Sequence, residues 1–257
     1  MAFPKKKKKY RSPVEGPLRR LPGQSIREEW DRLFDDKVMG YLLVPLVGWV
    51  LAIWQWIYWW TGSKPSPAVA TVVASIVTIY CAYRIRRIYP EFRNLNLGEK
   101  GERRVSEVLR TLRDRDYVTF DDLLVEGVNV DHVVVGPAGV FAVETKSFSI
   151  FGNASAGIDA SGVLQFGGNP AFKDPLKQAR ASAAMVSAEL KRWMHRDIWV
   201  NPVVVLPGWR IDPPKVETGV VILNEQTIAE FFKTRPEKLS TSEIREICSH
   251  LDRSARS

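Results

Sequence analysis

The chain has 257 residues, with 37 Lys and Arg against 29 Asp and Glu, a formal net charge of +8, and two cysteines. Cys81 and Cys248 are too few and too far apart for a disulfide framework or a zinc cluster, which fits a reducing cytosol. Two long apolar runs near the N-terminus exclude reading the whole chain as one ordinary globular domain.

Residues 1 to about 24 are rich in Lys, Pro and Arg, a composition that buries no core. The five lysines Lys5 to Lys9 can hold this tail to anionic lipid, at about 1 kcal/mol per charge near the surface. Contact with nucleic acid is the alternative. Ser25 and Glu28 have the spacing of a capping box, and Ile26, Trp30, Leu33 and Phe34 share a helical face. Residues 1–37 are therefore expected to form a basic tail and an interfacial amphipathic helix on the inner leaflet. A continuous extension of the next helix into the cytosol is the other arrangement, and the sequence does not separate the two.

The first apolar run extends from Val38 to Trp60 and the second from Ala68 to about Ile85, against the roughly 20 residues that cross a bilayer. Trp54, Trp56, Tyr58, Trp59 and Trp60 gather at one end of the first run, as aromatics do at a membrane interface. Basic residues bracket the opposite ends: Lys5 to Lys9, Arg11, Arg19 and Arg20 before, Arg84, Arg86 and Arg87 after. Residues 38–88 are expected to be a two-helix transmembrane hairpin in the cytoplasmic (inner) membrane, with both termini cytoplasmic by the positive-inside rule. The first run starts too far from Met1 and is too long for a cleaved signal peptide, so it reads as a retained anchor. A buried hairpin in a soluble core would leave the tryptophan cluster and the arginines unexplained. Pro45 is expected to kink the first span.

Residues 91–257 carry the pattern of a separate cytoplasmic α/β domain. Glu99 to Leu112 predicts an amphipathic helix, Tyr117 to Val125 a strand, and the stretch 131–146 a β-hairpin. Phe148 to Gly168 is rich in Gly, Ser and Ala, with a short strand at Val163 to Phe166. Pro175 to Trp193 is helical, Val200 to Leu206 and Val220 to Leu223 are buried strands, and Thr227 to Phe232 is a short helix. Ser240 and Glu243 cap a last helix whose inner face is Ile244, Ile247, Cys248 and Leu251. This order predicts a mixed β-sheet flanked by helices.

The chemistry concentrates in Asp131 to Lys146, DHVVVGPAGVFAVETK. Side chains alternate along a strand, so Glu144 and Lys146 share a face, and Asp131 can lie beside Glu144 across the hairpin. Two converging carboxylates with a lysine suit a divalent metal and the activation of a water for phosphodiester cleavage. Glu-x-Lys alone is weak: it occurs by chance roughly once in a chain of this size. Glu189-Leu190-Lys191 is such an instance, in a helix where positions i and i+2 face apart. For the strand copy, the competing interpretation is a salt-bridged strand end.

Four features together resemble the NERD (nuclease-related) domain of the PD-(D/E)XK nuclease superfamily, from Gly98 to about Arg180. They are Gly98-Glu99-Lys100-Gly101-Glu102-Arg103 opening a helix, Asp131 leading a strand, Glu144-Thr145-Lys146, and Asp174-Pro175-Leu176-Lys177-Gln178-Ala179-Arg180 opening a later helix. Asp174 stands where the family usually has Asn. The resemblance implies a restriction-endonuclease-like fold. It also implies Asp131, Glu144 and the Thr145 carbonyl as ligands of Mg²⁺ or Mn²⁺, and Lys146 as the group that positions water or neutralises charge. Glu102 is implied as the helix-borne carboxylate, with Glu99 as the alternative, and Gln178 as the residue holding the lysine or the phosphate. Lys173, Lys177 and Arg180 could touch phosphates. His132 follows Asp131 on the opposite strand face and reads as a packed or partly exposed histidine rather than a ligand; His195 and His250 have no partner pattern, and no Ser-His-Asp or phosphate-loop motif occurs.

The function expected is that of a membrane-anchored metal-dependent nuclease acting on nucleic acid, DNA rather than RNA, in defence or DNA processing, with a protein partner or a second copy as a regulator. The alternative is a non-catalytic membrane adaptor that binds nucleic acid or a protein through the same fold.

Overall fold

The structure is a computed structural model that describes residues 21–62, 66–149, 155–171 and 174–254. The basic tail, Lys64 of the apolar connector and Lys173 lie outside the described residues.

Helix α1 (Gln24–Leu33) passes through a π-helical turn (Phe34–Val38) into α2 (Met39–Trp60) without a break. The structure thus has the continuous extension, and one side of α1 packs against α3. Trp30 meets Phe92 edge-on at 5.2 Å. The helix starts two residues before the Ser25–Glu28 box would place it, with Gly23 as the N-cap. Ser25 donates its backbone N–H to Asp122 at 3.1 Å, so a distant carboxylate supplies the cap that the local motif was expected to supply.

Helix α3 (Pro67–Arg110) runs for 44 residues, about 66 Å at 1.5 Å per residue. The separate helix expected from Glu99 is its last part. Pro90 withholds an N–H from the Arg86 carbonyl, which normally breaks or kinks a helix. Here the helix runs on unbroken through the proline, and Phe92, two residues later, packs against Trp30.

Helices α2 and the first half of α3 pack through small residues. Ala52, Ala74 and Cys81 are buried, and Gly48 faces Ala74. Trp49 Nε1 donates to Thr78 Oγ1 at 2.9 Å and Trp56 Nε1 to Thr71 Oγ1 at 3.0 Å. Thr71, Ser75 and Thr78 donate in turn to carbonyls one turn back. Both helices are long and apolar enough to cross a membrane, and only 11 % of each apolar stretch is buried within the protein.

A short 3₁₀ turn (Thr111–Arg115) leads into the main sheet. Strands β1 (Val118–Val125), β2 (Val128–Gly136) and β3 (Gly139–Thr145) form an antiparallel meander. A second group follows: β4 (Ser155–Ile158), β5 (Leu164–Phe166), β6 (Asn169–Pro170), helix α4 (Pro175–Met194), β7 (Val200–Val205) and β8 (Arg210–Ile211). The chain closes with β9 (Val221–Leu223), α5 (Ile228–Lys233) and α6 (Thr241–Ser254). The five-stranded sheet has the order β1-β2-β3-β7-β9, with β7 parallel to both β3 and β9. This is the mixed sheet flanked by helices that the pattern predicts.

Strand alternation divides the core. Val133, Val135, Val140 and Ala142 face α4 and α6 through Val186, Leu190, Ile247 and Leu251. Val134, Phe141 and Val143 face α3 and α5 through Val105, Leu109, Ile228 and Phe232. The sequence does not foretell the second sheet, β6-β5-β4-β8, which packs on Leu176, Leu206 and Trp209. Its strands span only two to four residues, and Gly and Ser interrupt them, so no alternation is long enough to read.

Candidate active site

The site forms where the first half of β2 and the end of β3 meet α3 and α4; β2 begins at Val128, so Asp131 is its fourth residue and does not lead the strand. The hairpin register pairs His132 with Val143, which makes Asp131 and Glu144 neighbours on one face. Asp131 Oδ2 accepts the backbone N–H of Thr145 at 2.8 Å, tying the two strands together. Glu144 is 1 % exposed and accepts from three donors. Lys146 Nζ lies 2.7 Å from its Oε1, Gln178 Nε2 donates to the same oxygen, and Ser182 Oγ donates to Oε2 at 3.3 Å. An ionised carboxylate has about four acceptor positions, so Glu144 keeps about one for a cation.

Glu102 enters from α3. Both Glu102 and Glu99 lie near the docking face, and packing separates their fates. Glu102 is buried against the strands, whereas Glu99 pairs with Arg27 at 2.5 Å and Arg103 at 2.9 Å on the outer side. The close approach of α3 depends on Gly101. A side chain there would stand 1.7 Å from Ser147 Oγ and 3.0 Å from Ser147 Cβ. Glycine thus lets the helix backbone settle on the end of β3 and delivers the next residue, Glu102, to Asp131.

Carboxylates crowd the cluster. Burial, then the charges of Asp122 and Glu144, raise the Glu102 pKa from 4.5 to about 7, while Lys146 and the Gly23 N–H pull it down. Burial, Glu144 and Glu102 likewise hold Asp131 well above the usual carboxylate range. A carboxyl that keeps its proton more tightly folded than unfolded contributes stability below its unfolded pKa, and loses it as pH rises through the folded value. In the presence of chelator, the thermal midpoint is expected to fall from about pH 5 to about pH 8, and Glu102→Gln to flatten that fall. A wild-type midpoint that rises over this window would contradict the assignment.

The donor set fits a divalent cation. Oε2 of Glu102 is buried with no hydrogen-bond partner, and the carboxylates around it repel one another. Hard oxygen donors of this kind suit Mg²⁺ or Mn²⁺. Among the described residues, no three His, Cys, Asp or Glu side chains already stand as a metal cage. Mg²⁺ does not need one, since it keeps several waters and binds through one or two carboxylates.

The other residues singled out fall elsewhere. His132 is fully buried on the opposite face of β2, with Nδ1 2.8 Å from Asp121, which also accepts from Ser106 and Arg110. Burial works against the Asp121 charge, but these partners outweigh it and hold the pKa below the usual range. The group pins α3 to the meander. His250 lies 3.5 Å from Glu189 between α4 and α6, and His195 caps the end of α4. Lys177 is exposed at the start of α4, and Arg180 donates to the Thr218 carbonyl.

Motif reading missed Ser182 and Asp122. Ser182 is one helical turn past Gln178, a spacing that was available. Asp122 is the second of two acidic residues inside a strand, where Asp is depleted.

A mixed sheet that sets Asp131 of β2 beside the Glu-x-Lys at the end of β3, with a helix-borne glutamate next to them, defines a nuclease-like α/β domain. Residues 97–207 match the family model of the nuclease-related domain, NERD. Comparison with curated proteins and with solved structures returns no match.

Proposed function

We propose that the protein is a divalent-metal-dependent nuclease held at the cytoplasmic face of a membrane, with DNA as its substrate. The observation that carries this reading is the convergence of Glu102, Asp131 and Glu144, with Lys146 and Gln178 both bonded to Glu144, inside the stretch that matches the NERD model. Asp131, Glu144, the Thr145 carbonyl and Glu102 would hold Mg²⁺ or Mn²⁺. When bound, the cation polarises the scissile phosphate and lowers the pKa of an attacking water.

The chain's own residues supply the rest. Lys146 offers a cation to charge that gathers on the phosphate oxygens, an interaction stronger in the transition state than in the ground state. Its exposure of 25 % leaves the ammonium reachable from solvent. Gln178 and Ser182 fix the rotamer of Glu144 from α4, and the Thr145 N–H fixes Asp131.

Membrane anchorage is supported by the exposure of both apolar helices and by indole and hydroxyl groups satisfied within the hairpin. With Arg84, Arg86 and Arg87 at the inner leaflet, α3 would carry Glu102 about 25 Å from the bilayer along its axis. The basic tail would add contact with anionic lipid. A nuclease so placed meets DNA near the membrane, as in defence or DNA processing, alone or with a protein partner.

Cleavage of circular and linear DNA and of RNA by the full chain in nanodiscs, with Mg²⁺, Mn²⁺ or chelator, tests the reading. Metal-dependent cleavage that is lost in Glu144→Gln is the expected result. DNA binding without cleavage, equal in wild type and variant, would point instead to an adaptor.

A further inference from the structure

Asp122 lies in the middle of β1 with a left-handed backbone, φ 52°, and is 1 % exposed. Such a conformation costs a non-glycine residue roughly 1–3 kcal/mol unless its surroundings enforce it. Here the surroundings are the first turn of α1. Asp122 Oδ2 accepts the Ser25 N–H at 3.1 Å, across 97 residues of sequence. Asn129 Nδ2 donates to Ser25 Oγ at 3.2 Å, and Arg27 Nε pairs with Glu99 at 2.5 Å.

Held by these bonds, the turn forms the wall of the candidate site beside α3. Gly23 has φ +72°, and a side chain there would stand 3.0 Å from Glu99 Cγ and 3.8 Å from Glu102 Oε2. The strained strand residue and the helix that leads into the first apolar run therefore meet beside Glu102, whose Oε2 is buried without a hydrogen-bond partner.

We propose that Asp122 is a positioning residue for the metal site. By anchoring the first turn of α1, it fixes the wall against which the Glu102 carboxylate is set. The inference rests on the metal-dependent reading above. It makes α1 part of the nuclease machinery, so that the site is complete only when the segment leading into the first apolar helix is docked.

The test uses the full chain in nanodiscs, titrated with Mn²⁺ and followed by electron paramagnetic resonance. Hydrogen exchange of residues 21–30 is measured in parallel. Asp122→Ala is expected to weaken Mn²⁺ binding about tenfold, the usual scale for a partner that orients a ligand, and to deprotect the α1 amides. Asp122→Asn removes the charge but keeps an oxygen for the Ser25 N–H, and is expected to restore both. Should Asp122→Ala fail to fold, Ser25→Pro removes the donor instead, at a first-turn position where proline is tolerated, and the same loss is expected.

Mn²⁺ affinity unchanged in a folded Asp122→Ala or Ser25→Pro variant would overturn the positioning role. An Asn variant as weak as Ala would do so too, since the charge rather than the hydrogen bond would then matter. A wild-type chain that binds no Mn²⁺ overturns the metal reading itself, and the positioning role falls with it.

Discussion

Lys146→Ala is expected to lower the rate of DNA cleavage by about 10²–10³-fold, the scale of losing one preorganised charge partner at a reacting group. The ammonium is 2.7 Å from Glu144 Oε1, close to the position where a phosphate would meet the carboxylates. Removing it leaves Glu144 with the neutral donors Gln178 and Ser182, so a stability loss of about 1–3 kcal/mol should accompany the change. Assays therefore belong well below the unfolding midpoint.

Metal affinity separates this variant from Glu144→Gln. Deleting a cation beside the ligands should leave Mn²⁺ binding equal or tighter, whereas neutralising Glu144 removes a ligand charge and should weaken it. Both variants lose activity, but their Mn²⁺ affinities move apart. Full activity in Lys146→Ala would remove the lysine from the mechanism.

Gly101→Ala carries the second large effect. Its new methyl would overlap Ser147 Oγ at 1.7 Å and press on Ser147 Cβ at 3.0 Å. Overpacking of this kind costs typically about 1–3 kcal/mol. At about 2–4 °C per kcal/mol for a domain of this size, the unfolding midpoint should fall by roughly 2–12 °C. Backing α3 away from β3 also withdraws Glu102 from Asp131, so Mn²⁺ binding should weaken as well. Ser147→Gly removes both clashing atoms. The double variant Gly101→Ala/Ser147→Gly is therefore expected to recover most of the stability and metal affinity, a coupling that a double-mutant cycle measures directly. If the two substitutions add independently, the contact does not seat the helix.

These two predictions illustrate how unevenly the site could be read in advance. The Asp131–Glu144 neighbourhood follows from a short hairpin, because a tight turn sets the register and the register sets which residues share a face. Lys146 follows from the same alternation. The choice between Glu102 and Glu99 does not follow, since residues three apart on a helix share a side and only the docked partner decides which is buried. Arg27, 72 residues before Glu99 in sequence, takes that glutamate out of the site.

The capping box at Ser25 and Glu28 is a local motif, yet the helix start is set by a distant carboxylate. Helix α3 likewise runs unbroken through Pro90, a residue that locally would end or kink it.

By itself, the sequence determined whatever rests on local periodicity or length. This includes two apolar helices long enough to span a bilayer, the β2–β3 hairpin with its paired carboxylates, the capped last helix, and the order that makes a mixed sheet. Only the tertiary structure decided what rests on neighbours far apart along the chain: the unbroken α3 from apolar run to Glu102, the second sheet, and the roles of Ser182 and Asp122. The physical reason is that burial and hydrogen-bond partnership are properties of the assembled surface. A carboxylate acquires its pKa, its rotamer and its use from groups that the chain brings to it only on folding.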